Sequence, residues 1–141
     1  MHPTSVVAEC QGLVTAFAYY VDSFQGDKVV ELFTPDGTFE RKGEVLRGHN
    51  EIRAAQQRRT RETVVRHVCA PSHIEVIGAQ RARGTTYFQI FRGSHPEGAP
   101  TGVLPMPEPE VLGQFEDEFL LTPDGWKIQA RRARGVFRRG A

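Results

Sequence analysis

The chain has 141 residues, 39% hydrophobic and 25% charged, with 18 lysines and arginines against 17 acids for a formal charge of +1. That is enough for one domain, 1–141, with its own core, and it excludes a disordered tail, a disulfide scaffold or a strongly basic nucleic-acid binder. No apolar run approaches the roughly 20 residues of a membrane span, no leader pattern opens the sequence, and Cys10 and Cys69 stand in no metal or redox spacing, so a reducing cytoplasm is the expected setting.

Val6 to Phe24 reads as a helix, because Leu13, Phe17, Tyr20, Val21 and Phe24 recur at steps of three and four. Gly26 ends it, and Asp27 can cap a short second helix with Val29, Val30, Leu32 and Phe33 as its buried stripe. Pro35-Asp36-Gly37 then stops that helix and turns the chain into a strand at Thr38-Phe39-Glu40-Arg41. Gly43 allows a turn into Val45-Leu46. Glu51 to about Arg61 reads as a third, mostly polar helix, with Ile52, Ala55 and Gln56 as its inner face.

From Val64 the period changes to two. Val64 to Ile77, Arg81 to Arg92, Val111 to Leu121 and Trp126 to Phe137 each read as a long strand, the first bent at Pro71. Gly78-Ala79-Gln80 and Thr122-Pro123-Asp124-Gly125 are short hairpin connections. Between Gly93 and Pro109, five prolines mark an irregular loop of a length that compact domains usually keep for function. Helices first and an antiparallel meander afterwards give an α+β domain.

Four pieces in this order resemble the SnoaL-like branch of the NTF2-like superfamily. They are Val30-Glu31-Leu32-Phe33-Thr34-Pro35-Asp36-Gly37, Leu46-Arg47-Gly48 leading to Ile52-Arg53, Arg66-His67, and Phe115-Glu116-Asp117-Glu118-Phe119 followed by Asp124-Gly125-Trp126. The resemblance implies a cone-shaped α+β barrel, in which three N-terminal helices pack on a strongly curved antiparallel sheet around an apolar cavity. Scytalone dehydratase, bile-acid dehydratase, ketosteroid isomerase, polyketide cyclases and non-catalytic binding proteins share this plan. A homodimer is also implied, and a single-layer sheet with helices on one side leaves its other face to be covered.

Two residues carry the expected chemistry. Asp22 lies beside the apolar stripe of the first helix, and a carboxylate there needs a partner. His67 shares strand parity with Cys69, opposite Arg66 and Val68, and so faces inward. In the related dehydratases an aspartate and a histidine at these places form the catalytic pair. A histidine can move a proton near neutral pH while a carboxylate holds its tautomer. The alternative for each residue is a solvated helix end and a satisfied core histidine. Those dehydratases also place a tyrosine five residues before the aspartate, where this chain has Phe17. Tyr20 is the expected substitute donor, with Tyr19 and Tyr87 as further candidates for the substrate wall beside Phe17 and Phe115. Asp117, on the apolar side of its strand, is either a cavity carboxylate or the partner of Arg131 or Arg132. His49, His73 and His95 have no neighbours at ligand spacing, so no metal and no cofactor is expected.

The expected activity is therefore that of a cofactor-free dehydratase or isomerase on a small hydrophobic molecule, aromatic or polycyclic. The absent tyrosine favours a second reading, a non-catalytic ligand-binding protein. A third is the small subunit of an aromatic-ring dioxygenase, although such subunits are generally longer. Arg58-Arg59-Thr60-Arg61 and the arginine-rich segment after Arg131 lack interleaved aromatics, which argues for solvated faces rather than nucleic-acid contacts.

Overall fold

A computed structural model describes residues 2–99 and 101–141. Helix α1 (Pro3–Asp22) starts earlier than its apolar spacing suggested, because Pro3 suits a first helical turn and the His2 ring accepts the Thr4 N–H as a cap. Its inner stripe is Val6, Cys10, Val14, Phe17 and Val21, with Leu13 and Tyr20 on the flanks. Helix α2 (Gly26–Glu31) begins at the glycine expected to end α1, with Asp27 in its first turn rather than at its cap. Strand β1 (Phe33–Arg41) and β2 (Glu44–Arg47) form a hairpin, and α3 (Gly48–Gln57) buries Ile52 and Ala55 completely. The sheet then adds β3 (Thr63–Cys69), β4 (His73–Gly78), β5 (Arg81–Ser94), β6 (Val111–Thr122) and β7 (Gly125–Arg138).

The strands run in the order β2-β1-β7-β6-β5-β3, with β4 also on β5. One expected long strand is thus two. β3 pairs one half of β5 and β4 the other, and the chain breaks at Ala70-Pro71-Ser72 to step along the same edge. The sheet is mixed rather than wholly antiparallel, since β1 lies parallel to β7. Pro35-Asp36-Gly37 is not a helix stop but an irregularity inside β1. Phe33 pairs Ile128 and Thr38 pairs Ala130, so five steps of β1 answer two of β7. A proline without an N–H is tolerated where the ladder is interrupted. Gly37 is needed there: a Cβ would stand 3.0 Å from the Thr34 carbonyl and 3.1 Å from that of Ile128. The 95–110 segment is irregular, as expected, and Pro100 within it lies outside the described residues.

Register shifts at Leu112/Gly113 and Glu118/Phe119 bend β6 against β7 and wrap the sheet around α1. At the first, Phe88 lies so close that a Cβ on Gly113 would meet its ring at 2.8 Å. The core fills the concave side, where Phe17 makes edge contacts with Phe33, Phe39 and Phe115. Each such ring removed from water contributes about 1.5–3 kcal/mol. Among the described residues no helix is long and apolar enough to cross a membrane.

Cys10 is buried completely in this core, and burial pushes its thiol up to about 12 from an ordinary 9.0. Below pH 9 both folded and unfolded chains keep this proton; above it the unfolded chain alone releases it, so stability falls as pH rises from 9 toward 12. Urea denaturation across that range is expected to show a steeper alkaline decline for the wild type than for Cys10→Ala. Parallel declines would remove the assignment.

Candidate functional site

The last residue of α1, Asp22, lies against β3, where it meets His67 twice. Its Oδ1 is 2.7 Å from the imidazole Nδ1, and its Oδ2 accepts the backbone N–H of His67 at 2.8 Å. Both side chains are only about a tenth exposed, at 11% for Asp22 and 10% for His67. Two bonds from one carboxylate to one residue fix both backbone and ring, and Nδ1–H donation leaves Nε2 as the lone-pair nitrogen. The ring packs beside Phe88 and Phe115, with centroids at 6.3 and 6.4 Å.

That ring forms part of the wall of a cavity of about 200 Å³. Phe17, Phe39, Val65, Phe88 and Phe115 make its apolar end. On its other side His67 borders an open groove, shared with Asp22, Tyr19 and Arg66, so the pair spans the wall between the interior and solvent. A larger depression of about 560 Å³ lies elsewhere, near His73, Glu75 and Arg132. It is open, and most of its charges are already paired, as in Arg83–Glu75 at 2.9 Å and Arg132–Glu40 at 3.1 Å. It encloses nothing.

The tyrosines are not where the sequence reading put them. Tyr87 is 61% exposed on the outer face of β5, because Thr86 and Phe88 take the inward positions. Tyr19 is 63% exposed and borders only the outer groove. Tyr20 is half-buried on the flank of α1, with the Lys28 ammonium 5.5 Å from its ring, and does not line the cavity. Phe17 and Phe115 do line it. Asp117 does not. It pairs across the β6–β7 ladder with Arg131, whose Nε and one terminal nitrogen donate to its two oxygens at 2.7 and 2.8 Å, both side chains being fully buried. The guanidinium lies over Phe115 at 3.9 Å and Phe17 at 4.4 Å, so this pair is the polar centre of the core.

Sequence reasoning missed the rest of the cavity wall. Arg41, Lys42, Arg59, Arg92 and Arg138 line its mouth, with Glu110 as the lone acid. The cations come from β1 and the turn after it, the α3–β3 connection, β5 and β7, so no local run announces them. Glu110 contacts Arg92 at 3.1 Å. Cys69, one turn of the pleat beyond His67, has its thiol raised by burial, which keeps it a poor nucleophile.

A family model described as a SnoaL-like domain matches residues 4–132. Among solved structures, a proposed dehydratase from the NTF2-like family of Streptomyces avermitilis is 22% identical with a TM-score of 0.80, covering 96% of this chain and 99% of that one. An NTF2-like protein with a cystatin-like fold from Novosphingobium aromaticivorans is 19% identical, with a TM-score of 0.78 over 95% and 82% of the two chains. A proposed scytalone dehydratase from the same organism is 13% identical, with a TM-score of 0.75 over 95% and 86%. At these identities the likeness speaks for the fold. Among curated proteins no match is found. The family match takes in all three helices and the sheet as far as the middle of β7, and the chain belongs to the SnoaL-like domain family.

Proposed function

We propose that this domain is a cofactor-free lyase or isomerase that moves a proton on a small, largely apolar carbonyl compound. The observation that carries this reading is the 2.7 Å contact between Asp22 and the Nδ1 of a histidine that lines a cavity with an apolar end. Nε2 of His67 takes a proton from the carbon next to the carbonyl, and the C–H electron pair moves into an enolate. Asp22 holds Nδ1–H and balances the imidazolium. In a β-hydroxy carbonyl compound the enolate re-forms its carbonyl and the hydroxyl leaves, accepting the proton from the imidazolium, so that one water is lost. In an isomerisation the same proton returns to a different carbon. An engineered cavity of roughly 150 Å³ holds a benzene, so 200 Å³ suits one ring with a short substituent better than a polycyclic body.

The test is proton exchange in deuterium oxide, followed by NMR on a panel of single-ring ketones and β-hydroxy ketones. The wild type is expected to exchange the α-proton or release water on at least one of them, and His67→Asn to do neither. Equal behaviour of the two proteins would leave the second reading, a binding protein. That reading is favoured by one observation: Phe17 brings no hydroxyl to the place where the related dehydratases carry one, and among the described residues no tyrosine lines the cavity.

The free thiols Cys10 and Cys69 suit a reducing compartment such as the cytoplasm. A homodimer through the outer sheet face completes the reading, since Val68 and Tyr87 lie exposed there beside Leu112. Tyr87→Arg is expected to shift the protein from dimer to monomer in sedimentation while leaving its circular dichroism unchanged. A wild-type monomer would dismiss the dimer.

A further inference from the structure

The mouth of the cavity concentrates positive charge in a protein whose overall charge is +1. Of its five cations, Arg92 alone has a carboxylate within ion-pair distance among the described residues. Arg41 is the most telling. It is half-buried at the end of β1, with its Nε shut away from solvent and bonded to nothing among the described residues. Across the same cavity the Oε1 of Gln56 is buried and also lacks a partner. Buried polar atoms are nearly always satisfied, and a guanidinium held in a low-dielectric wall without an acceptor is costly. Here donor and acceptor border one void with an apolar floor.

The crowding works in the same direction. Arg59 lies over Phe24 at 4.4 Å and donates to the Val21 carbonyl, which holds its charge at the rim instead of letting it swing into solvent. Burial first, against the opposing pull of Glu44 on Arg41 and of Asp22 on Arg59 and with neighbouring cations adding to it, lowers both guanidinium groups below the ordinary arginine range. Cations placed so that each makes the others less favourable are stabilised together by one anion.

We propose that the ligand of this cavity is a carboxylic acid, one ring or a short apolar body seated among Phe17, Phe88 and Phe115, with its carboxylate at Arg41 and the neighbouring cations. A planar carboxylate suits guanidinium groups, which donate two parallel N–H groups. Gln56 Oε1 receives a hydroxyl or amide hydrogen on the same molecule. The inference rests on the reading above in taking this cavity as the ligand site, and it adds the substrate class.

The experiment is calorimetric titration of the intact chain with benzoate, phenylacetate and cinnamate, each against its uncharged amide. At low salt at least one acid is expected to bind about ten- to a hundredfold more tightly than its amide, the range of a charge-assisted hydrogen bond. The preference shrinks in high salt. It falls at least several-fold in Arg41→Met, and Arg138→Gln, at an exposed position, shows the same trend should Arg41→Met fail to fold. Equal affinities for acid and amide, an undiminished preference in both arginine variants, or no acid binding at about 1 mM overturns the proposal. Acid binding without proton exchange sinks the catalytic reading and leaves this one standing. Exchange on neutral ketones without acid preference does the reverse.

Discussion

Arg131→Met is expected to cost about 3–5 kcal/mol of folding stability, a large part of what a domain of this size has. The reason is what stays behind. Asp117 is fully buried, and among the described residues both its oxygens are held by Arg131, so removing the cation leaves a buried carboxylate without its counter-charge. The apolar contacts are not the issue, because a methionine still reaches Phe17 and Phe115. Asp117→Leu combined with Arg131→Met is therefore expected to recover most of the loss, as buried pairs replaced together usually do. Urea denaturation of the two single variants and the double variant measures this. A single variant within about 1 kcal/mol of wild type would mean that water reaches Asp117 after all.

Turnover carries the second large effect. With a substrate found by the proton-exchange panel, His67→Asn is expected to lower kcat by about 10²–10⁴, the usual contribution of a positioned proton-transfer group. Asn places its amide nitrogen close to where Nδ1 stood, so Asp22 keeps a donor and the thermal midpoint stays near wild type. Asp22 acts through His67 as a positioning residue. Asp22→Asn is expected to lower kcat while leaving KM nearly unchanged and to shift the pH profile of kcat. The amide cannot balance an imidazolium, and its N–H can face Nδ1 and favour the wrong tautomer. Because the two residues act as a unit, the double variant should be scarcely worse than His67→Asn. Full additivity would separate them.

The elements that carry strong periodicity were legible in the chain: α1 from its apolar steps and the long strands β5, β6 and β7 from their alternation; the Asp22–His67 contact came from the family resemblance, with strand parity turning His67 inward. The seam before Thr38 was not. Proline and Asp-Gly there read as punctuation, whereas the parallel partner β7 lets β1 run through them with a bulge. Nothing local in the sequence reports a partner that distant. Tyr87 failed for a related reason: strand alternation says that neighbours face opposite ways, but which way needs the burial of Thr86 and Phe88 in the core. Arg41, Arg59, Arg92 and Arg138 were invisible as a group, since only the curvature of the sheet brings them together.

The parallel pairing of β1 with β7 also has a consequence for how the chain reaches its fold. Phe33 waits for Ile128, a residue about two thirds of the chain length away, and Arg131 reaches Asp117 only on the same late strand. During synthesis the helices, the β1–β2 hairpin and the buried carboxylate all emerge before the strand that completes them. Contacts of such long sequence separation slow folding and lengthen the exposure of unpaired edges. Loss of β7 would therefore not trim this domain at its edge but cut the β1–β2 hairpin off from the rest of the sheet.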